Sequence, residues 1–305
     1  MRLLKNILII LIWGFFLNSQ AQQLPQFTEY MYNTISVNPA YAGSRGSLNI
    51  VALGRFQWVG LQDGPNTQTV SMNSPLKNQK IGIGGSVIVD NLGFERFIYA
   101  YGDLSYTFKF ENDLKCSLGL KAGATYYGLD AEFLADADVA NDIYFQKKVN
   151  KWNPNMGAGI LFHTNDWYVG LSSPRLIDHD YKSENELLAK ERLHYYLLGG
   201  YVFSLGEKLK FKPSAMVKYS KNTPISLDVS GNFLIHEKLW LGMAYRFRDA
   251  VGAMMDLQLA KNLRIGYAYE YPVTDIERYT SGTHEVLMIF EFKFLKNKFR
   301  SPRYF

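Results

Sequence analysis

The chain has 305 residues, of which 47% are hydrophobic and 15% aromatic, enough for two ordinary domains or one large all-β domain. Its formal charge is only +5, too mild to imply nucleic acid as a partner, and the single cysteine, Cys116, excludes a disulfide framework. Beyond the first residues no apolar run approaches the roughly 20 residues of a membrane-spanning helix, so the rings must be buried by another element.

Arg2 and Lys5 form a short basic region ahead of the apolar stretch Ile7 to Leu17, and Ser19 and Ala21 occupy the small-residue positions of a cleavage site. This predicts an export signal over residues 1–21, cut after Ala21, which lowers the net charge to +3 by removing Arg2 and Lys5. Residues 22–46 come next. From Gln26 they read QFTEYMYNTISVNPAYAGSRG, with neither a helical stripe nor strand alternation. Asn38-Pro39 favours a turn, because proline fixes its own φ and pushes its predecessor away from helix. Gly43 and Gly46 let the chain bend into the first strand. The segment is too aromatic for a solvated tail.

From residue 47 onward the pattern alternates. In LWLGMAYRF, Leu239, Leu241, Met243, Tyr245 and Phe247 share one face and Arg246 takes the other. LRIGYAYEY sets Leu263, Ile265, Tyr267, Tyr269 and Tyr271 against Arg264 and Glu270. LKFKPSAMVKY sets Leu209, Phe211, Ala215, Val217 and Tyr219 against Lys210, Lys212 and Lys218. Period-two patterning marks strands with one apolar and one polar face.

About 14 such segments are predicted, at 47–60, 68–76, 80–90, 95–110, 114–129, 153–164, 166–177, 192–206, 209–220, 225–236, 239–249, 252–260, 263–272 and 283–295. Every second connection is a tight polar turn (KNQ, END, TND, GEK, HEK and KN), and the alternate ones are mostly longer, up to Asp130–Trp152 and Asp178–Glu191. Short turns at one end and longer loops at the other are the rhythm of an outer-membrane barrel. Phe56 and Trp58, and Phe290, Phe292 and Phe294, fall where aromatic girdles belong.

The predicted fold is therefore all-β: a transmembrane antiparallel β-barrel over residues 47–295 in the lipid bilayer. Residues 22–46 form a pre-barrel plug within or beneath its mouth, and 296–305 a periplasmic tail. By the loop rhythm, Asp136 to Lys148 face outward and Gly206 to Lys208 face the periplasm.

Nothing in the chain nominates a reaction, a metal or a cofactor. His163, His179, His194, His236 and His284 stand singly, without metal-ligand spacing. The acidic stretch Asp136 to Asp142 lacks the glycine and terminal glutamate of a calcium loop. Gly82 to Gly85 lie in a strand with no helix behind to receive a phosphate. No nucleophile–base pair is evident, and the expectation is a protein that is not an enzyme. Arg55, Lys115, Lys121, Lys210, Lys212, Lys218, Arg246, Arg248 and Arg264 share the polar faces with Asp103, Asp228, Asp256, Glu270 and Glu291. They read either as charge packing in a plugged lumen or as an electropositive conduit or peptide cradle.

The N-terminal quarter resembles the PorP/SprF family of type IX secretion system outer-membrane proteins of Bacteroidetes. The likeness rests on Pro25, Gln26, Phe27, Tyr30, Asn33, Asn38-Pro39-Ala40-Tyr41-Ala42-Gly43, Arg55, Gln57, Trp58, Pro65, Thr67-Gln68-Thr69 and Ser74-Pro75. Asn33-Thr34 departs from the second asparagine-proline pair that many relatives carry.

The resemblance implies a non-enzymatic outer-membrane component of protein secretion. Its implied partners are periplasmic components of that system, a cognate secreted protein with a C-terminal sorting domain, or both; a gliding-motility adhesin is one such cargo. Phe27, Tyr30, Asn33, Asn38, Pro39, Tyr41, Gly43, Arg55 and Trp58 are the candidate partner-binding or plug residues. The alternative is a passive channel for small or hydrophobic solutes.

Overall fold

The alternating segments form antiparallel strands in a computed structural model that describes residues 26–129, 150–183, 186–221 and 223–292. The leader at 1–21, residues 22–25 with Pro25, the loop residues Asp136 to Lys148, Phe294 and the tail at 296–305 lie outside the described residues. The strands are β1 (Leu48–Phe56), β2 (Asn66–Pro75), β3 (Ile81–Leu92), β4 (Glu95–Lys109), β5 (Lys115–Leu129), β6 (Asn150–His163) and β7 (Trp167–Ser173). A small hairpin of β8 (His179–Ser183) and β9 (Glu186–Glu191) follows, then β10 (His194–Tyr201) and β11 (Phe203–Ser204). The series ends with β12 (Leu209–Ser220), β13 (Ser226–Ile235), β14 (Leu239–Arg246), β15 (Ala250–Ala260), β16 (Leu263–Pro272) and β17 (Thr283–Phe292).

Each wall strand pairs with its sequence neighbour, and β1 pairs with β17 from Leu48↔Phe292 to Phe56↔His284, which closes the sheet. β10 and β11 are one stave interrupted at Val202, and both pair with β12. With β8 and β9 outside the wall, the barrel has 14 staves. Closure leaves no free edge and satisfies the backbone in lipid.

The side chains are inverted relative to a water-soluble protein. On β2, Val70 and Met72 point outward, each 55% exposed, while Thr67, Thr69, Ser71 and Asn73 are buried in the lumen. The outer face therefore meets lipid, and the polar residues pack inside.

The tight turns have a backbone cause. Asn112 and Asp113, and His236 and Glu237, all take positive φ, and Leu114 and Lys238 donate back across the turns to Glu111 and Ile235. Two consecutive left-handed residues make the type I′ turn that matches strand twist.

Strand ends shift by a few residues from expectation at several places, and three departures bear on the site. β1 stops at Phe56, which faces outward; Trp58 has a φ of 54° and its N–H donates to Thr283 Oγ1 at 3.3 Å, so it belongs to the loop and not to the wall girdle. β7 stops at Ser173 because Pro174 has no N–H to continue the ladder; the chain then stays beside β6 through Leu176 N–H to the Met156 carbonyl (2.8 Å). The region expected to be loop at 178–191 contains the β8–β9 hairpin.

Residues 26–46 run through the lumen. Gln26 donates to Asp228, near the long-loop end of β13, whereas Ala42 lies against Gly82 and Ser105, near the short-turn ends of β3 and β4. The segment thus lies within the barrel, not beneath it, and reaches from one end of the lumen to the other.

Candidate functional site

The lower half of this plug is two 3-10 turns, Thr34–Ser36 and Pro39–Tyr41. Asn38 makes the second turn: its Oδ1 accepts the Ala40 N–H at 2.9 Å, and Pro39 supplies a fixed φ at the first helical position. The other side of the same carboxamide fastens the turn to the wall, since Nδ2 donates to the Ile160 carbonyl at 3.2 Å.

The wall meets this turn with glycine. A Cβ at Gly119 would stand 2.1 Å from Ala40 N and 2.4 Å from Pro39 C, and one at Gly82 would stand 2.0 Å from Ala42 O. No side chain fits at either position, so plug backbone and barrel backbone are in direct contact. Around them, Asn33 accepts from Ser71 Oγ (2.7 Å), Ser105 Oγ donates to the Ala42 carbonyl (2.7 Å), and Lys121 Nζ reaches the Ile35 carbonyl (3.2 Å) while pairing with Asp103 at 2.8 Å. Gly43, at φ 72°, bends the chain out of the seat, with its N–H on Asn73 Oδ1 at 3.2 Å.

The upper half is held by charge. Arg55 pairs with Glu285 and, at 2.7 Å, with Glu270. Arg246 joins Glu270 (3.2 Å) to Asp228 (3.0 Å). The plug enters this network at every link: Thr28 Oγ1 donates to Glu270 (2.8 Å) and accepts from Arg55 (3.2 Å), and Thr28 N–H donates to Glu285 (2.7 Å). Gln26 adds its bond to Asp228. Because these charges are buried, removing one partner strands another in low dielectric.

Between the two halves lies Glu29, fully buried. Its carboxyl faces Asp256: a Cβ on Gly266 would lie 2.1 Å from Asp256 Oδ1 and 3.1 Å from Glu29 Oε1. Burial first, and then the charges of Asp256 and Glu285, push the Glu29 pKa well above the usual carboxylate range, with Arg264 opposing. The shift favours the protonated form of Glu29 beside Asp256. Below this pair the Tyr32 ring packs edge-on to Trp240, 6.5 Å between centroids, with Lys212 at 5.4 Å and Arg264 at 5.2 Å from its own centroid.

The long-loop mouth is roofed on one side by the hairpin. The Tyr181 ring of β8 packs tilted against Tyr127 (4.7 Å between centroids) and edge-on to Phe97 (6.0 Å). Glu191 of β9 receives Tyr181 Oη (3.0 Å), Thr125 Oγ1 (3.0 Å) and Arg175 (3.2 Å), and Arg175 lies 4.3 Å over the Tyr99 ring.

Of the sequence candidates, Phe27, Tyr30, Asn33, Asn38, Pro39, Tyr41 and Arg55 are buried together in the lumen, and Gly43 is at the plug's exit. Trp58 stands apart, in the loop after β1. Among the charges read as lumen-facing, Lys210 instead pairs with Glu237 at a short turn (2.5 Å), and Arg248 is exposed against Phe247. Thr28, Glu29 and Glu285 were missed, although parity in THEVLMIFEF already places Glu285 on the face opposite Val286, Met288 and Phe290. Among the described residues no three His, Cys, Asp or Glu side chains are grouped to hold a metal ion.

A closed barrel with an apolar outer wall, filled by its own N-terminal segment, defines an outer-membrane protein with an internal plug. The chain belongs to the type IX secretion system membrane protein family PorP/SprF, which it matches over residues 19–290. It is thus an outer-membrane component of that system.

Similar solved structures include the Ralstonia pickettii toluene transporter TbuX (10% identity, TM-score 0.49, 85% of this chain and 92% of that one). A Pseudomonas aeruginosa FadL homologue (14%, 0.46, 91% and 96%) and Acinetobacter baumannii Omp33 (10%, 0.46, 81% and 98%) are also similar. No curated protein sequence matches the chain.

Proposed function

We propose that this protein is a plugged docking barrel: a non-enzymatic component that binds a protein partner at the outer membrane. It engages periplasmic components of the type IX system, a cognate secreted protein with a C-terminal sorting domain such as a gliding adhesin, or both. Residues 1–21 are removed as a signal peptide on export, and 296–305 form a periplasmic tail. The observation that carries the reading is the plug itself, which crosses the lumen from Asp228 at one end to Gly82 at the other. A barrel so filled is suited to holding a partner at its ends rather than passing solutes through its centre.

The test is deletion of the gene in a strain without a redundant paralogue, followed by proteomics of cell surface and culture supernatant. Loss of one or more proteins bearing the C-terminal signal is expected; unchanged delivery of all of them would overturn the proposal. Planar-bilayer recording of the purified protein gives an independent check, with silence expected and a stable, sizeable single-channel current pointing to a solute channel instead.

A further inference from the structure

Arg45 links the plug to β1 at the short-turn end of the lumen and is only 2% exposed, although Gly46 beside it is exposed. Among the described residues none of its three guanidinium nitrogens has a hydrogen-bond partner. Its surroundings are cationic. Arg45 and Arg264 both bear on Lys212 as like charges, with Asp256 as the opposing carboxylate. Asp256 is itself shared with Glu29. Glu291, the other carboxylate at this level, accepts from Ser47 Oγ at 2.8 Å and not from Arg45.

Uncommitted amide donors stand at the same level of the wall. Asn232 is the register partner of Lys212 on the adjacent strand, and Asn49 lies four residues beyond Arg45. Each has a buried Nδ2 that finds no acceptor among the described residues.

A buried guanidinium beside two further cations is strongly disfavoured unless an anion neutralises it. On Arg45, Asn49 and Asn232 the groups unpartnered among the described residues are five donors and one acceptor, Asn232 Oδ1, and the guanidinium fork matches two oxygens of one oxyanion. We infer that the short-turn end of the lumen is a binding site for a compact oxyanion, with Arg45 as its principal donor. Lys212 and Arg264 supply charge, and Asn232 and Asn49 supply further hydrogen bonds. The ligand enters past Gly46, as a free phosphate or as a carboxylate group. Occupancy would tie the plug's exit to β12, β13 and β16 across the lumen and stiffen the seat.

The experiment uses the full-length protein in an uncharged detergent, with its unfolding midpoint followed by tryptophan fluorescence. Inorganic phosphate and sodium acetate are titrated against sodium chloride at fixed pH and ionic strength. A ligand bound only by the folded state raises the midpoint saturably. A rise of several degrees over chloride is expected, and whether phosphate or acetate acts at lower concentration distinguishes the two sources.

Arg45→Gln should weaken the response at least about tenfold, as loss of a charge-assisted fork would, while Arg45→Lys keeps part of it. Should Arg45→Gln fail to assemble, Asn232→Ala takes its place, with a several-fold weaker response expected on an intact barrel. Equal midpoints in the three salts would overturn the inference, as would an undiminished response in the substituted protein. Neither result bears on partner docking, which the deletion experiment tests separately.

Discussion

The two halves of the plug are gripped by opposite chemistry. At the long-loop end, Gln26 and Thr28 are woven into a network of two arginines and three carboxylates, Arg55, Arg246, Asp228, Glu270 and Glu285. At the short-turn end, Ala40 and Ala42 rest with their backbone on Gly119 and Gly82, and Asn38 pins the turn between them. Charge can be compensated by a second change nearby and responds to pH, whereas contact between two backbones tolerates neither adjustment nor gradation. The upper grip is therefore tunable and the lower one all-or-none.

The largest effect should come from filling the seat. Gly119→Leu sets a side chain where the Ala40 nitrogen stands, and β5 cannot retreat because it is paired with β4 and β6 along its length. The plug must leave instead, since overpacking against fixed backbone has no flexible side chain to absorb it. A cysteine at Ser36 in a Cys116-free background should become labelled rapidly by a polar maleimide, while heat-modifiable gel migration shows the barrel still closed. Slow labelling equal to that of the parent would mean the seat does not hold the plug.

Arg55→Gln comes next. It leaves Glu270 and Glu285 buried with one cation fewer, a loss of roughly 3–5 kcal/mol for a broken buried pair. Adding Glu285→Gln should restore part of the unfolding midpoint, because the stranded charge is gone. If the double substitution is no more stable than the single one, the upper grip is packing and not charge. A second substitution in the wall would not rescue Gly119→Leu, and that contrast sharpens the difference between the two grips.

The wall was legible in the sequence almost stave by stave, because a barrel repeats one local rule: outward apolar, inward polar, short turn, long loop. Parity alone places Arg246 opposite Tyr245, and Glu270 opposite Tyr271, as observed. The grips were not legible. Thr28 and Glu285 are 257 residues apart, and Ala40 meets Gly119 only after the sheet has closed. No periodicity or spacing within a segment encodes such a meeting. Asn38-Pro39 announced a turn, but its fastening to Ile160 lies on the far side of the lumen from β1 and β17. The β8–β9 hairpin escaped for a related reason: its strands are short, and what holds it is the Tyr181 ring against Phe97 and Tyr127 in the wall.

Asn38→Ala should have a smaller effect than either Gly119→Leu or Arg55→Gln. It removes a turn cap and one wall bond while leaving the glycine seat open, so about 1–2 kcal/mol is expected from the lost cap and hydrogen bond. Labelling at Ser36 should quicken modestly, with the barrel midpoint almost unchanged. A rate as fast as that of Gly119→Leu would make Asn38, and not backbone contact, the lower grip.

Glu29→Gln should have the smallest effect of all at mildly acidic pH and should show itself only as a change of slope. In the folded protein Glu29 has a raised pKa, from burial first and the Asp256 and Glu285 charges next. The stability that its protonated form contributes is complete below its unfolded pKa and is lost as pH rises through the folded one. Above that point a second negative charge faces Asp256, and the plug should loosen by up to about 1.4 kcal/mol per pH unit for one proton. Glutamine keeps the shape and the donor but has no proton to lose. Ser36 labelling, corrected for thiolate fraction with a free thiol, should therefore accelerate with pH in the parent and stay flat in Glu29→Gln. The Arg55 network should not reproduce this slope, since Arg55 stays charged across the range. If parent and variant show the same pH profile, the Glu29–Asp256 pair between the two grips does not titrate with plug release.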